Sequence, residues 1–298
     1  MSNKCKDLIS LIVFTNAYFC LIVKTKPNIQ HANFKQAKIA YTVSGKGRAV
    51  VLLHGFLGST EVWEPIKNSL AKQFKIICID LPGHGQSDSF GYVHSMEVMA
   101  QAVKAVMDSL HLKKYVLIGH SMGGYAGLAF AELFPDFVRG LCLFHSTSYA
   151  DNEQKKRDRD KAIRVVKNNV DIYVRATINN LFATKNLKHL KKEILFTQRV
   201  ARKTPKRGII AALEGMKTRP SRDVVLHFAN YPILFIIGKY DNLLPMQSLL
   251  NQAEIAKYKN VLLLEKSGHM GFLEEPEICV KHLKRFIRNS FAPYKLRR

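Results

Sequence analysis

Residues 114–134 read KYVLIGHSMGGYAGLAFAELF, and this stretch decides the fold. An apolar, strand-like run ends at Gly119, and a helical pattern begins just beyond Ser121. The spacing is G-x-S-x-G, with a glycine two positions before and two positions after the serine. A Cβ atom at Gly119 or Gly123 would crowd a sharp strand-to-helix turn, whereas glycine leaves room for the serine hydroxyl to project. The pattern therefore predicts a tight turn that presents Ser121 at the end of a strand.

The rest of the chain alternates short apolar runs with longer helical patterns, beginning near Asn33. Such alternation is typical of an α/β fold with a mostly parallel central sheet flanked by helices. The first two apolar runs, joined by the turn-rich SGKG, are expected to form an edge hairpin that leads into a buried strand. The predicted strands are Lys38–Val43, Arg48–Gly55, Phe74–Asp80, Lys114–Gly119, Gly140–Ser146, Pro232–Gly238 and Asn260–Gly268.

One connection is too long for a single crossover helix. Residues 149–226 contain several amphipathic helical patterns and no strand-like run. We expect an inserted helical cap there, opening with Asp151 as a helix N-cap. The predicted organisation is an N-terminal apolar segment at 1–32, an α/β core at 33–148 and 227–298, and the cap at 149–226.

The N-terminal segment carries a mostly apolar run at residues 8–23, preceded by Lys4 and Lys6. The run is shorter than the roughly 20 residues of a membrane span, and no A-x-A cleavage site follows it. A membrane anchor or uncleaved signal, a cleaved signal and a packed extension all stay open. The protein is expected to face the cytoplasm or to associate with a membrane through residues 8–23.

The five cysteines favour a reducing compartment. Their number is odd, there is no C-x-x-C, and Cys78 and Cys142 lie inside apolar runs. This pattern indicates neither a disulfide framework nor a zinc site. No other metal-ligand spacing, G-x-G-x-x-G or P-loop is present, so neither a metal nor a cofactor is predicted.

The formal net charge of +23 makes acidic partners plausible, although charge alone speaks to solubility and association rather than fold. Residues 149–226 hold 20 Lys and Arg against 8 Asp and Glu, so the cap carries about half of the excess. Basic runs are not interleaved with aromatic residues, which argues against nucleic-acid binding. Two interpretations follow: the cap docks an acidic carrier, or it is a solvated helical surface. Charge reversal at Lys155, Lys156 and Arg159 would distinguish them.

A catalytic serine needs a base in hydrogen-bond reach, a group that orients the base, and donors for the oxyanion. Asp241 follows the strand PILFIIG, and His269 follows the strand NVLLLEK, so both lie at strand ends in the order Ser, Asp, His. The predicted oxyanion donors are the backbone N–H groups of Met122 and Phe56. His145 also lies at a carboxyl strand end, where it is a candidate pocket-lining residue.

Four motifs carry a resemblance to a known family. They are HGFLGS (54–59), DLPGHGQSD (80–88), GHSMGG (119–124), and the pair PILFIIGKYDNLLP (232–245) with SGHMGFLEEPE (267–277). Together they resemble the α/β-hydrolase fold superfamily, in particular its lid-bearing serine esterase and acyl-hydrolase branch. The resemblance implies Ser121 as nucleophile, His269 as base and Asp241 as acid. Epoxide hydrolases and haloalkane dehalogenases carry aspartate at the position of Ser121, which disfavours those activities.

The expected function is cleavage of a carboxylic ester or thioester through an acyl-enzyme. The expected partner is a small acyl ester, and the resemblance adds an acidic acyl carrier protein as a candidate. One alternative is hydrolysis of a carbon–carbon bond or an enol-lactone, which the same three residues support. The alternative from a different class is a receptor-like hydrolase fold that binds a ligand with little turnover, since function resides in sites rather than folds.

Overall fold

A computed structural model describes residues 28–292. Eight strands form one sheet in the order β1-β2-β4-β3-β5-β6-β7-β8, and the six strands from β3 onward are mutually parallel. The predicted α/β fold with a mostly parallel sheet is therefore confirmed. The strands are β1 (Ile29–Phe34), β2 (Ala37–Ser44), β3 (Ala49–Leu53), β4 (Lys75–Ile79), β5 (Tyr115–His120), β6 (Val138–Phe144), β7 (Ile233–Gly238) and β8 (Lys259–Leu264).

The central strands are apolar throughout because helices cover both faces of a parallel sheet. All residues of β3, β5 and β7 are buried, for example. The α-helices are α1 (Glu64–Ala71), α2 (Met96–Ser109), α3 (Met122–Leu133), α4 (Glu153–Asn168), α5 (Val170–Leu181), α6 (Lys191–Arg202), α7 (Lys206–Lys217), α8 (Asp223–Phe228), α9 (Met246–Ile255), α10 (Gly271–Glu274) and α11 (Pro276–Ser290).

The prediction of a hairpin between β2 and β3 is wrong. The edge hairpin is formed by β1 and β2, and β2 then pairs antiparallel with β4, which separates it from β3. The connection through SGKG contains Gly45 and Gly47 with φ of 74° and 98°, and it crosses over β4 instead of reversing tightly. Strand β1 begins at Ile29, ahead of the predicted start of the core at residue 33.

Helices α4 to α8 all lie between β6 and β7. The N-cap of α4 is Asn152, whose side chain accepts a hydrogen bond from the Lys155 N–H, so the predicted N-cap at Asp151 is wrong. Asp151 is instead a buried carboxylate paired with Arg159 and Arg219. The exact boundaries of the cap at 149 and 226 stay predictions.

Cys78, Cys142 and Cys279 are buried free thiols. Cys5, Cys20 and the apolar run at residues 8–23 lie outside the described residues, so the predictions made for them stand as predictions. Between residues 28 and 292, no helix combines the length and apolar character that crossing a membrane requires.

Candidate active site

Ser121 lies in the sharp turn between β5 and α3. Its backbone is held at φ 50° and ψ −114°, a region that non-glycine residues rarely adopt. A Cβ atom at Gly119 would overlap the carbonyl oxygen of Gly123, and a Cβ at Gly123 would overlap that of Leu53. The two glycines of the motif are therefore required by direct backbone packing.

Neighbouring chain segments fix this turn. The Ser121 N–H donates to the carbonyl oxygen of Phe144 at 2.9 Å, and its own carbonyl accepts the Ser146 hydroxyl at 2.8 Å. Ser146 in turn lies against Gly124, where a Cβ would overlap its Oγ atom. Because Phe144 ends β6 and Ser146 follows it by two residues, the strained turn is braced by the neighbouring strand and the loop that continues it.

Asp241 and His269 form a hydrogen-bonded pair at the ends of β7 and β8. The His269 Nδ1 lies 2.7 Å from the Asp241 Oδ2, and neither side chain has more than 2% exposed surface. The Asp241 Oδ1 accepts the N–H groups of Leu243 and Leu244 at 2.8 and 3.1 Å. Burial raises the pKa of Asp241, but the charge and hydrogen bond of His269 outweigh that effect and bring the pKa down to about 2. The carboxylate is therefore ionised at neutral pH.

His269 lies beside the serine turn with one ring nitrogen uncommitted. The His120 Nε2 lies 2.8 Å from the His269 carbonyl oxygen, and the two rings are 5.1 Å apart. The His269 Nε2 is buried and makes no hydrogen bond to any residue in the described range, so it is not bonded to the Ser121 hydroxyl in this state. The structure thus joins Asp241 to His269, and it places His120, the neighbour of Ser121, in contact with His269.

Glu274, which the sequence did not single out, holds the His269 loop in place. Its Oε1 accepts the N–H groups of Gly268 and Met270 at 2.8 and 3.2 Å. Its Oε2 accepts the Ala183 N–H at 3.1 Å and the Asn186 side-chain amide at 2.7 Å. Burial raises the pKa of Glu274 and is only partly offset by these donors. One carboxylate therefore links both neighbours of His269 to the segment that follows α5.

His145 lies behind the Asp241–His269 pair with no exposed surface, so it does not line an open cavity. The Gly271 N–H donates to its Nε2 at 3.1 Å, which places the proton of the neutral ring on Nδ1. That Nδ1 faces the Asp241 Oδ2 at 3.7 Å and makes no hydrogen bond within residues 28–292. Burial lowers the pKa of His145 to about 3, so the ring is neutral at physiological pH.

The loop after β3 packs directly on the serine turn. A Cβ atom at Gly55 would lie 3.3 Å from the Ser121 Cβ. His54 is a structural residue of this loop: its Nε2 accepts the Leu81 N–H at 2.9 Å and its Nδ1 lies 2.8 Å from the Gly55 carbonyl oxygen. The backbone N–H groups of Phe56 and Met122, the predicted oxyanion donors, donate to no residue of the described chain. They are free to bind a ligand oxygen.

Asp80 anchors the same loop from the DLPGHGQSD motif. Its side chain is buried and accepts the N–H groups of Thr60 and Gln86 at 2.6 and 2.8 Å. A Cβ at Gly85 would overlap this carboxylate. Asp80 and Gly85 therefore shape the chain beside the serine.

Helix α5 and the residues after it cover the site. The rings of Phe56 and Tyr173 lie 6.4 Å apart, so α5 contacts the loop that carries a predicted oxyanion donor. The His269 N–H donates to the Leu181 carbonyl oxygen at 2.7 Å, and the Asn242 side-chain amide donates to that of Asn180 at 3.1 Å. The inserted helices therefore contact the loops of both Asp241 and His269.

No group of three or more His, Cys, Asp or Glu side chains in the described part of the chain is arranged to hold a metal ion. Near the serine, the available chemistry is a hydroxyl, an imidazole oriented by a carboxylate, and two free backbone N–H groups.

The strand order, the turn at Ser121 and the pair at the ends of β7 and β8 define a class of enzyme fold. Residues 48–276 match the model of the alpha/beta hydrolase fold family, and the chain belongs to that family. A Bacillus subtilis protein, provisionally named 2-succinyl-6-hydroxy-2,4-cyclohexadiene-1-carboxylate synthase, is 29% identical over 84% of this chain and 95% of its own length.

Two further similar proteins are named as esterases. The pimeloyl-[acyl-carrier protein] methyl ester esterase of Vibrio cholerae is 24% identical over 83% of this chain and 96% of its own length. The solved structure of a thermophilic esterase from Thermogutta terrifontis superposes with a TM-score of 0.84 at 25% identity, covering 90% of this chain and all of that one.

Proposed function

We propose that the protein is a serine hydrolase that cleaves a carboxylic ester or thioester through an acyl-enzyme. Ser121 is the nucleophile and His269 the general base. Asp241 orients the imidazole of His269 and stabilises its protonated form. The observation that carries this proposal is the strained serine turn beside a buried His269–Asp241 pair with a 2.7 Å hydrogen bond. The esterase names of two similar proteins support ester hydrolysis as the reaction.

The proposed reaction follows from the free atoms of the site. The Ser121 hydroxyl attacks the acyl carbon and passes its proton to the His269 Nε2, which has no hydrogen-bond partner among the described residues. The Asp241 carboxylate stabilises the resulting imidazolium because its pKa of about 2 keeps it ionised at neutral pH. The N–H groups of Phe56 and Met122 bind the oxyanion, and His269 then protonates the leaving group. Water releases the acyl group by the reverse sequence of proton transfers.

The test is a panel of p-nitrophenyl esters from acetyl to palmitoyl, combined with labelling by a serine-directed fluorophosphonate. Ser121→Ala should lose at least about 10³-fold in kcat and all labelling, because the attacking oxygen is gone. Ser89→Ala, at a half-buried serine outside the site, should match the wild type in both assays. Wild-type turnover in Ser121→Ala would refute the proposal, and labelling without turnover would favour the ligand-binding alternative.

An acidic acyl carrier is the proposed partner for the basic cap, supported by the name of the Vibrio cholerae relative. Lys155 and Arg159 are unsuitable for testing this idea, because Lys155 is half-buried and Arg159 binds the buried Asp151. Lys188, Lys191 and Lys192 are exposed and form no ion pair with a described residue. We call these three lysines the cap set.

Reversing the cap set to Glu should lower kcat/KM for an acyl group on an acidic carrier protein and spare the same acyl group as a free ester. Steering by exposed charges is screened over about 10 Å at 0.1 M salt, so the carrier advantage should also shrink as salt rises. Equal kcat/KM values for the carrier-bound and the free ester at low salt would show that the cap covers the site without docking a carrier.

A further inference from the structure

A second basic surface lies at the opposite end of the sheet from Ser121. The strand registers align Ala49 with Lys75 and Tyr115, and Tyr115 with Val138, so the parallel strands begin along one edge. Five of the six parallel strands carry a basic residue at or next to their first position. These residues are Arg48, Lys75, Lys114, Arg139 and Lys259. We call this the amino edge.

Helix α11 extends the basic surface. It runs back from the His269 loop and ends at the amino edge, where a Cβ at Gly140 would overlap the Ser290 Oγ and the Arg48 guanidinium lies 5.2 Å from the Phe291 ring. Along its outer face is a cleft of about 320 Å³, lined by Lys281, His282, Arg285, Arg288 and Asn289. Three permanent cations therefore line one concave surface.

Apart from Lys259, the basic residues of the amino edge and the α11 cleft form no ion pair within residues 28–292. Glu254 is paired with Lys259, and Asp108 with Lys104, whereas Asp136 is exposed and offsets one positive charge. Ion pairs to described residues are absent from Arg48, Lys75, Lys114 and Arg139 of the amino edge and from Lys281, Arg285 and Arg288 of α11. The surface therefore has a large unpaired positive excess that an anionic partner would complement.

The chain enters the fold at this same edge. Ile29, the first residue of β1, pairs with Thr42, and Ser44 at the end of β2 pairs with Ile76 near the start of β4. Only residues 24–28 separate Ile29 from the apolar run at 8–23. Five residues span at most about 18 Å, so the linker is too short for the C-terminal end of that run to attach to the fold anywhere but this edge.

We propose that the amino edge and α11 dock on an anionic phospholipid surface, with lipid phosphates seated in the α11 cleft. A membrane fits better than an acidic protein because the flanking apolar run would enter the same bilayer that the cations contact. The parallel strands are 5 to 7 residues long, which places Ser121 roughly 16–23 Å from the amino edge, at the other end of the sheet. Substrate would then reach the site from the aqueous side.

The test is co-sedimentation of the full chain with vesicles of phosphatidylcholine alone or mixed with phosphatidylglycerol. Each Lys or Arg near an anionic surface contributes about fivefold in binding, so the mixed vesicles should bind at least about tenfold better, and less so as salt rises. Lys281→Glu, Arg285→Glu and Arg288→Glu together should remove that preference. Reversal of the cap set, an equal change of charge, should leave it in place.

Several outcomes would overturn the proposal. Equal binding to both vesicle types would mean that the apolar run alone drives association, and equal losses in both triple variants would mean that only net charge matters. Competition by inorganic phosphate at millimolar concentration would indicate a soluble phosphate site. If the wild type binds polyglutamate but not vesicles, and the α11 variant loses polyglutamate binding, the partner of this surface is an acidic protein. Circular dichroism and thermal melting of both variants verify that they are folded, independently of any esterase activity.

Discussion

Glu274→Gln tests whether the hydrogen bonds accepted by Glu274 hold the His269 loop in place. Glu274 accepts four hydrogen bonds, two on each carboxylate oxygen. Glutamine has one carbonyl oxygen, so its amide group must face two N–H donors that then lose their partner. An unpaired buried donor costs about 1–3 kcal/mol, and removing a buried charge recovers part of that cost. The net loss of unfolding free energy should be about 2–4 kcal/mol.

Thermal unfolding at pH 7 measures this loss, which corresponds to a Tm decrease of roughly 3–6 °C in a chain of this size. We also expect kcat for ester hydrolysis to fall, because the side chain can no longer hold the amides on both sides of His269 and the segment after α5 at the same time. Glu275→Gln is the matched control: one oxygen of Glu275 accepts both the Lys266 N–H and the Ser267 hydroxyl, and a glutamine carbonyl can do the same. A Tm for Glu274→Gln within about 1 °C of wild type, or an equal decrease for Glu275→Gln, would refute the reasoning.

Asp241→Asn should lower kcat by up to about 10⁴-fold, as in other triads, whereas Asp223→Asn should have no effect; equal losses at both positions would reassign the acid. Because the pKa of Asp241 is lowered from 3.8 to about 2, its ionised form contributes about 2 kcal/mol of stability above pH 4, which is lost as the pH falls towards 2. The unfolding free energy should therefore fall more steeply with decreasing pH in the wild type than in Asp241→Asn between pH 4 and pH 2. Parallel curves for the two proteins would contradict the lowered pKa of Asp241. His145→Asn retains a residue type that tolerates its left-handed backbone (φ 46°) but cannot reach the Gly271 N–H. We expect kcat to fall about 3–10-fold with KM within twofold, and an unchanged kcat would assign His145 to packing alone. EDTA should leave activity unchanged, and loss restored by a divalent ion would show a metal requirement.

The parts of the site that sequence could predict are those set by local chain geometry. The turn at Ser121 depends on Gly119 and Gly123, which stand within two residues of it, and the structure supplies the backbone atoms that a Cβ would overlap. Asp241 and His269 follow strands whose apolar runs are plain in the sequence. Because parallel strands end at one edge of a sheet, the loops that follow them lie close together.

The missed features depend on distant partners. Glu274 accepts from Ala183, which lies 91 residues earlier, so no local pattern marks its role. Strand β1, with the sequence IQHANF, is half polar because it is an edge strand, and its turn places Lys35 at φ 53° without a glycine. The position of β2 beside β4 follows from the pairing of β3 with β5, a choice that only the assembled sheet determines.

The glycines around Ser121 also bear on how such an enzyme can change over evolution. Ser121 is only partly buried, so another side chain of similar size can replace it without displacing a neighbour. A substitution at Gly119 or Gly123 meets main-chain atoms, which cannot move without shifting β3 or α3. A new reaction chemistry is therefore accessible through a single codon at position 121. The codons for Gly119 and Gly123 stay fixed across any such change, and descendants with different activities would retain the same turn.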